Sequence, residues 1–368
     1  MSNFNYIPEE IVTDILQRLS SKSLIRFRCV CKSWRDLIGS SNFARSHLNR
    51  NVARRSNRYL YAYHQSSIDE PEHCQYSLFS TETFEPCLNL RHPLWTREKL
   101  RIYGSSNGLV CISDEKLHPN SRICIWNPSI WKSRTLPNIE THLSDISTTH
   151  LSFGFHPELN DYIVVRIVHP YMGSPGVEVY TLSTNSWKSI RVTPPWLNFN
   201  RIYSTAAFLK GTAYWTAKTG SEYKIVAFDA GSEEFQELMV PKKNSFTALL
   251  VCEESLCVFQ YEWERLEWSG EWTIDSWIMK EQSLNKVDSS SLGKSGCNFP
   301  LSSSIDNELL IAYMDIDIRD EHRVVVTEMA LYNIESKQLN RTGIRLKRLR
   351  DRGFDGGAYI ESLVLLSD

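Results

Sequence analysis

The chain has 368 residues, is 42% hydrophobic and 23% charged, and carries a formal net charge of −2. These proportions fit a soluble globular protein with room for a small module plus one large domain. They leave no whole-protein field to draw nucleic acid or anionic membrane. Eleven Trp and 16 Tyr suit many short strands better than a helical bundle.

The N-terminus, Met1 to Tyr6, has no basic region followed by an apolar one, and no run approaches the ~18 apolar residues of a membrane span. The nine cysteines are scattered and odd in number, so they read as reduced thiols. The expected compartment is cytoplasm or nucleus. Asn340-Arg341-Thr342 matches a glycosylation sequon by chance on this reading.

Residues 6–48 differ from the rest of the chain. Pro8 suits a first helical turn, and Glu9 and Glu10 suit its positive end. Ile11, Val12, Ile15, Leu16 and Leu19 recur on one helical face. Ser20-Ser21 interrupts the pattern. A second short helix from Ser23 to about Cys29 offers Leu24, Ile25 and Phe27. A third carries Val30, Trp34, Leu37 and Ile38 and stops at Gly39.

A unit of about 40 residues this apolar buries its surfaces poorly alone, so its spare faces imply a partner. The plainer reading is a helical cap on the following domain. A DNA-binding helix-turn-helix is a further alternative, but Trp34, Leu37 and Ile38 occupy much of the would-be recognition helix.

The string Ile7-Pro8-Glu9-Glu10-Ile11 to Leu19, then Arg28-Cys29-Val30-Cys31-Lys32-Ser33-Trp34, then Phe43 to His47-Leu48, resembles an F-box. Ile7 stands where Leu is usual and Ser20 where Pro is common. The resemblance implies docking on a Skp-type adaptor, and through it on a cullin and a RING subunit. The adaptor contacts it implies are Ile7, Pro8, Ile11, Leu16, Leu24, Val30, Cys31 and Trp34, some of which can instead form the motif's own core.

A basic joint, Arg50 to Arg58, follows. Beyond it one phrase recurs six times: an apolar residue, four mostly polar ones, then an aromatic or Leu. The phrases run Phe79–Phe84, Trp126–Trp131, Leu182–Trp187, Ala230–Phe235, Met279–Leu284 and Ile334–Leu339, about one every 50 residues. Each follows a strand-like run such as Val177–Tyr180 or Lys224–Phe228, which is a hairpin signal. A unit of this period predicts a mainly β protein, with a β-propeller-like domain of about six kelch-like blades behind three helices. The apolar run Tyr359 to Leu366 is the expected strand closing the ring. A large β-sandwich is the alternative. The expected organisation is 4–48 helical, 49–58 linker and 59–368 β domain.

Gly104 to Cys111, Trp126-Asn127-Pro128-Ser129, Phe153-Gly154-Phe155, Asp161 to Arg166, Val179-Tyr180 with Ser186-Trp187-Lys188, and Trp277 to Glu281 resemble the landmarks of the F-box-associated domain of plant F-box proteins. Leu284 departs from the family's usual Trp. The resemblance implies a non-catalytic substrate receptor of an SCF-type ubiquitin ligase, whose β domain recruits a target protein.

Other chemistry is weakly signalled. Gly104-Ser105-Ser106-Asn107-Gly108 fits the G-x-S-x-G of a hydrolase nucleophile elbow, but a strand follows where a helix is required. Asp315 to Glu321 opens like a calcium loop but lacks its sixth-position Gly, and Val326 stands at the twelfth. No C-x-x-C pair or His cluster has zinc spacing, and no catalytic residue, metal or cofactor is expected. The basic run with Arg345, Lys347, Arg348 and Arg350, and the acidic-aromatic stretch with Trp263 and Trp268, are candidate target-binding residues. For both, a solvated loop or a buried strand is the plainer reading. No nucleic acid or membrane partner is expected.

Overall fold

The computed structural model describes residues 7–365 apart from 55–56, 66–73, 91–92, 94–99, 115–116, 118–120, 139–145, 171–174, 191–200, 203–205, 220–221, 243–244, 253, 264–271, 281–282, 292–298, 306–307, 320–321, 334–335 and 348–354. Four helices come first: α1 (Glu9–Leu16), α2 (Ser21–Phe27), α3 (Lys32–Gly39) and α4 (Ser41–Arg54). The Pro8 carbonyl accepts the first amides of α1, from Ile11 and Val12. Ser20 caps α2 through its hydroxyl, which accepts from the Ser23 N–H. A serine at this position thus supplies a capping acceptor that proline lacks.

The fourth helix has no counterpart in the sequence reading. Most of the basic joint expected as a linker, residues 49–54, continues α4, and β1 begins at Arg58. The signal lay in Phe43, His47, Leu48 and Asn51, which share one face at helical spacing and are all buried. Two of the four are polar, so an apolar periodicity search passes over them.

The rest of the chain is a six-bladed β-propeller, not a sandwich. The strands are β1 (Arg58–Gln65), β2 (Cys74–Ser80), β3 (Pro86–Asn89), β4 (Leu100–Ser106), β5 (Leu109–Asp114), β6 (Cys124–Asn127), β7 (Lys132–Thr135), β8 (Ile146–His156), β9 (Asp161–Pro170), β10 (Gly176–Thr181), β11 (Ser186–Ile190), β12 (Arg201–Ile202), β13 (Ala207–Leu209), β14 (Thr212–Thr219), β15 (Glu222–Asp229), β16 (Glu234–Met239), β17 (Phe246–Cys252), β18 (Ser255–Trp263), β19 (Trp272–Lys280), β20 (Ser283–Ser291), β21 (Phe299–Ile305), β22 (Glu308–Arg319), β23 (His322–Asn333), β24 (Leu339–Arg345) and β25 (Gly356–Ile360). Blade 2 is β4–β7, blade 3 β8–β11, blade 4 β12–β16, blade 5 β17–β20 and blade 6 β21–β24. Blade 1 joins the two ends of the domain, in the order β25-β1-β2-β3. The inner strands touch in the ring order β25, β4, β8, β13, β17, β21 and back to β25.

The repeated phrase is the hairpin before each blade's outermost strand. Phe84, Trp131, Asn185, Glu233 and Lys337 all take left-handed backbone there, an uncommon state for residues with a side chain. The closing aromatic then folds back on the preceding strand: Phe235 lies 4.7 Å from Phe228, Trp187 5.3 Å from Tyr180, and Trp131 6.1 Å from Trp126, centroid to centroid. In blade 5, Leu284 packs against the blade 4–blade 5 seam.

Six apolar clusters seal six seams. At the closing one, Leu60, Ala62 and Phe79 of blade 1 meet Leu310, Ala312, Met329, Leu331 and Ile344 of blade 6. Polar groups also bind the ends together. Asp355 sits at the head of β25 and accepts from the Tyr76 hydroxyl of blade 1 and the Ile102 N–H of blade 2. The closing strand is shorter than expected: β25 pairs with β1 over Arg58–Ala62 and ends at Ile360. Residues 361–365 leave the sheet and pack elsewhere. Cys29, Cys31, Cys87, Cys111, Cys124, Cys252 and Cys257 are not in disulfides.

Candidate docking surfaces

The helical module has two apolar sides. On the inner side Leu16, Leu24, Ile38 and Phe43 are buried together with Ile130 of blade 2 and Leu363 of the C-terminal segment. On the outer side Ile7, Ile11 and Ile15 stand 55%, 51% and 49% exposed, and Phe27 and Val30 are exposed beyond them. Ile7, Ile11 and Ile15 are four residues apart, so they form one stripe on and just before α1. Five of the ten exposed large apolar side chains among the described residues fall within these first 30 positions. Isolated exposed apolar residues are common on any protein, but a contiguous group marks an interaction site.

This division sorts the adaptor-contact residues expected from sequence. Ile7, Pro8, Ile11, Val30 and Cys31 are exposed and Trp34 is half-buried, its ring 5.7 Å from that of Phe27. Leu16 and Leu24 face inward, at 1% and 0% exposure, and belong to the module's own core. Ile15 and Phe27 lie on the outer side and were missing from the expected set. Their signal was present in the sequence, since Ile15 follows Ile11 by one helical turn.

Charge fastens the module rather than forming the stripe. Asp14 accepts from Arg50 of α4 at 2.7 Å and from Arg18 at 3.0 Å. These two guanidinium groups, Arg50 first, hold its carboxyl below the usual range. Cys31 precedes α3 with its sulfur 3.2 Å from the Ser33 hydroxyl. That contact and the backbone N–H of Trp34 lower the thiol from its ordinary value. His47 is buried, its Nε2 2.9 Å from the Leu19 carbonyl oxygen, and burial pushes its pKa down.

The ring offers a central cavity of about 600 Å³ lined by inner strands of all six blades, including Ile102, Phe153, Phe208, Leu249, Leu301 and Ala358. At its end nearer the helices, Lys210 and Glu254 pair at 3.0 Å. The opposite rim is where second and fourth strands of each blade end. Arg345 closes β24 and is exposed, and the Lys347 N–H donates to the Tyr63 carbonyl. The backbone of Trp263 closes β18 opposite Trp272. These two blade ends therefore share one rim on neighbouring blades. The Trp263 side chain, and the whole of Trp268, Arg348 and Arg350, lie outside the described residues. Near the same rim Asp275 pairs with Lys242 at 2.8 Å and Lys286 at 3.0 Å. Hydrogen bonds from Lys242, Ser289 and Lys286 outweigh the desolvation of its carboxyl, whose pKa falls to about 2.

The Gly104–Gly108 phrase is a β-hairpin. Ser106 ends β4, Asn107 and Gly108 turn with φ of 47° and 80°, and β5 follows directly. Gly108 is required there: a Cβ would lie 2.2 Å from the Ser362 Oγ. The strand-turn-helix of a nucleophile elbow is not formed. Asp315 and Asp317 pair in extended β22 with Val326 and Val324 of β23, so this stretch is strand rather than ion-binding loop. Among the described residues no group of acidic, His and Cys side chains could hold a metal, and no helix is long and apolar enough to cross a membrane.

Comparison with known proteins agrees with both regions. Residues 4–46 match the F-box domain and residues 96–329 match the F-box associated beta propeller domain. The F-box/kelch-repeat protein At3g23880 of Arabidopsis thaliana is 28% identical over 294 residues, covering 75% of this chain and 76% of that protein. The putative F-box protein At4g38870 of the same plant is 28% identical over 317 residues, covering 78% and 71%. Among solved structures, TolB from Acinetobacter baumannii shares the fold at 12% identity, with a TM-score of 0.51 over 88% of this chain and 73% of that one. An outward apolar stripe on four short helices and a closed six-bladed ring are thus joined by two matching domains: the chain belongs to the F-box proteins that carry an F-box associated β-propeller domain.

Proposed function

We propose that this chain is the substrate-recognition subunit of a plant SCF-type cullin–RING ubiquitin ligase, working in cytoplasm or nucleus. Its F-box docks on a Skp-type adaptor through Ile7, Pro8, Ile11, Ile15, Phe27, Val30 and Cys31, with Trp34 behind them. The adaptor links it to cullin and RING subunits, and the propeller holds a target protein. The chain supplies no nucleophile and no cofactor. Its contribution is positional, since holding a target near a charged carrier raises the effective concentration of the reacting groups.

The observation that carries this reading is the outer apolar stripe of the F-box. It is solvent-exposed while the opposite side of the same helices buries Leu16, Leu24, Ile38 and Phe43 against Ile130 and Leu363, which is the arrangement of a surface built for a second protein. The test is to mix the purified chain with a purified Skp-type adaptor and run gel filtration. A stoichiometric complex that is lost with Ile11→Asp and Val30→Asp together supports the reading. A wild-type chain that elutes apart from the adaptor at micromolar concentration refutes it.

A further inference from the structure

The chain does not end when the ring closes. Residues 361–365 leave β25 and cross the side of the propeller that faces the helices. The Glu361 N–H donates to the Asn57 carbonyl at 3.0 Å. Its side-chain oxygens accept from the Ser21 N–H, which opens α2, at 2.9 Å and from the Tyr59 hydroxyl of β1 at 3.2 Å. Its carbonyl accepts from Asn51 Nδ2 of α4 at 3.3 Å. One residue therefore joins two F-box helices to blade 1.

The following residues extend the attachment to blades 2 and 3. Asn127 Nδ2 of blade 2 donates to the Ser362 and Val364 carbonyls at 3.1 and 2.9 Å. Leu363 enters the F-box core beside Leu16, Leu24, Ile38 and Phe43. Leu365 enters the seam between blades 2 and 3. Ser21, Asn127 and Ser362 have no exposed surface, and Leu363 is 1% exposed. Attachments at separate points on α2, α4 and three blades leave no axis about which the F-box can turn.

We propose that residues 361–365 are a positioning strap, which fixes the orientation of the F-box on the propeller and so the distance from a held target to the adaptor. Because β25 must pair before Glu361 reaches Ser21, the strap also makes a seated F-box conditional on a closed ring. The proposal rests on the receptor reading above for its consequence, and on the contacts alone for its geometry. Glu361 is a positioning residue in this account and touches neither adaptor nor target.

The test uses the full chain, alone and bound to purified Skp-type adaptor, as wild type, Glu361→Ala and Glu361→Gln. In Glu361→Ala the amides of residues 20–28 exchange roughly tenfold faster, as expected for loss of a buried hydrogen bond. Small-angle scattering of the complex broadens from one orientation to several, while adaptor affinity and the melting transition of the ring stay at wild-type values. Glu361→Gln restores both readouts, because its amide can accept from Ser21 and donate to Tyr59. Asn51→Ala leaves every ring residue in place and tests the same attachment if Glu361→Ala lowers the ring's transition. Unchanged exchange and scattering in both Ala variants overturn the strap. A wild-type chain that fails to bind adaptor overturns the receptor reading instead, while exchange and scattering of the chain alone still decide the strap.

Discussion

The ring and the F-box close their apolar surfaces differently. Each blade of the propeller presents apolar residues on both faces, and a neighbour covers each face, down to Leu60 and Met329 at 0% exposure in the seam that joins the two ends of the domain. The F-box is covered on one face only. Leu24 and Ile38 are buried against Ile130 and Leu363, while Ile7 and Ile11 a few ångströms of helix away remain half exposed. The closed ring covers its own blade seams. A half-covered module of four helices retains an unburied stripe, and the same sequence thus carries one self-sufficient region and one that a partner completes.

Breaking the ring should have the largest effect. Deleting residues 356–368 removes β25 together with Tyr359, Leu363 and Leu365, all buried, and exposes β1 as an edge. At about 1.5–3 kcal/mol for each large apolar side chain the loss is roughly 5–9 kcal/mol, comparable to the stability of a whole domain. The expected product is insoluble or lacks a cooperative thermal transition. A soluble deletion variant that melts at the wild-type temperature would show that the ring does not depend on its closing strand.

Next come paired substitutions on the two faces of the F-box. Leu24→Ala empties a buried site and should cost about 2–5 kcal/mol, read as lower protection of α2 and α4 from exchange. Ile11→Asp with Val30→Asp changes only exposed positions, so stability should move by less than about 0.5 kcal/mol each while adaptor binding is lost. Leu16→Asp, attractive from sequence as an adaptor contact, belongs with the first kind because its side chain faces Leu363 and Ile130. Equal effects of the inner and outer variants on both folding and binding would erase the distinction between the faces.

How far this comparison was legible in the sequence depends on what each feature needs. The hairpins were legible because five of them use a left-handed turn residue and all six end on an apolar side chain at fixed spacing, which leaves a periodic mark. The outer stripe was half legible. Helical spacing places Ile11, Ile15 and Leu16 within one broad apolar arc, and only the packing of Leu363 and Ile130 shows which edge of that arc is inside. Helix α4 was hidden because His47 and Asn51 are buried polar residues bonded to one another and to Leu19 and Glu361. The run Tyr359 to Leu366 read as one strand because both a strand and a strap bury apolar residues. Leu363 and Leu365 enter different clusters, F-box and blade seam, and that divergence ends the ladder at Ile360.

Acid should separate the two regions more gently. Burial lowers the pKa of His47 below its ordinary 6.5, so the unfolded F-box takes up the proton first as pH falls. Its contribution to stability is present above pH 6.5 and is lost as pH falls through that value toward the lowered one. In the ring, the Asp275 carboxyl is also lowered, to about 2, so its contribution holds above 3.8 and is lost only as pH falls toward 2. His169 is half-buried in blade 3 and shifts in the same direction as His47, so the measurement must be local. Amide exchange of α4 between pH 7 and 5 should rise beyond its intrinsic pH dependence. His47→Gln should flatten that rise, and an α4 profile identical in wild type and variant would remove His47 as its cause.

The smallest expected effect belongs to Ser106, where the ring's fit to a catalytic motif is tested. The motif places a serine on a strained turn between a strand and a helix, with its hydroxyl raised above the sheet and backbone amides beside it. Here Ser106 is the last residue of β4, paired with Leu109 across a two-residue turn, and the chain continues as β5. Its neighbour Gly108 is held by contact with Ser362 of the strap, which accounts for the glycine without any chemistry. The side chain is half-buried at the cavity wall, so removing one hydroxyl should change stability by less than about 0.5 kcal/mol. Ser106→Ala should bind adaptor as the wild type does, and neither protein should react with a fluorophosphonate probe. Probe labelling of the wild type that disappears in Ser106→Ala would make this hairpin a reactive site, and the ring would then be more than a scaffold for binding.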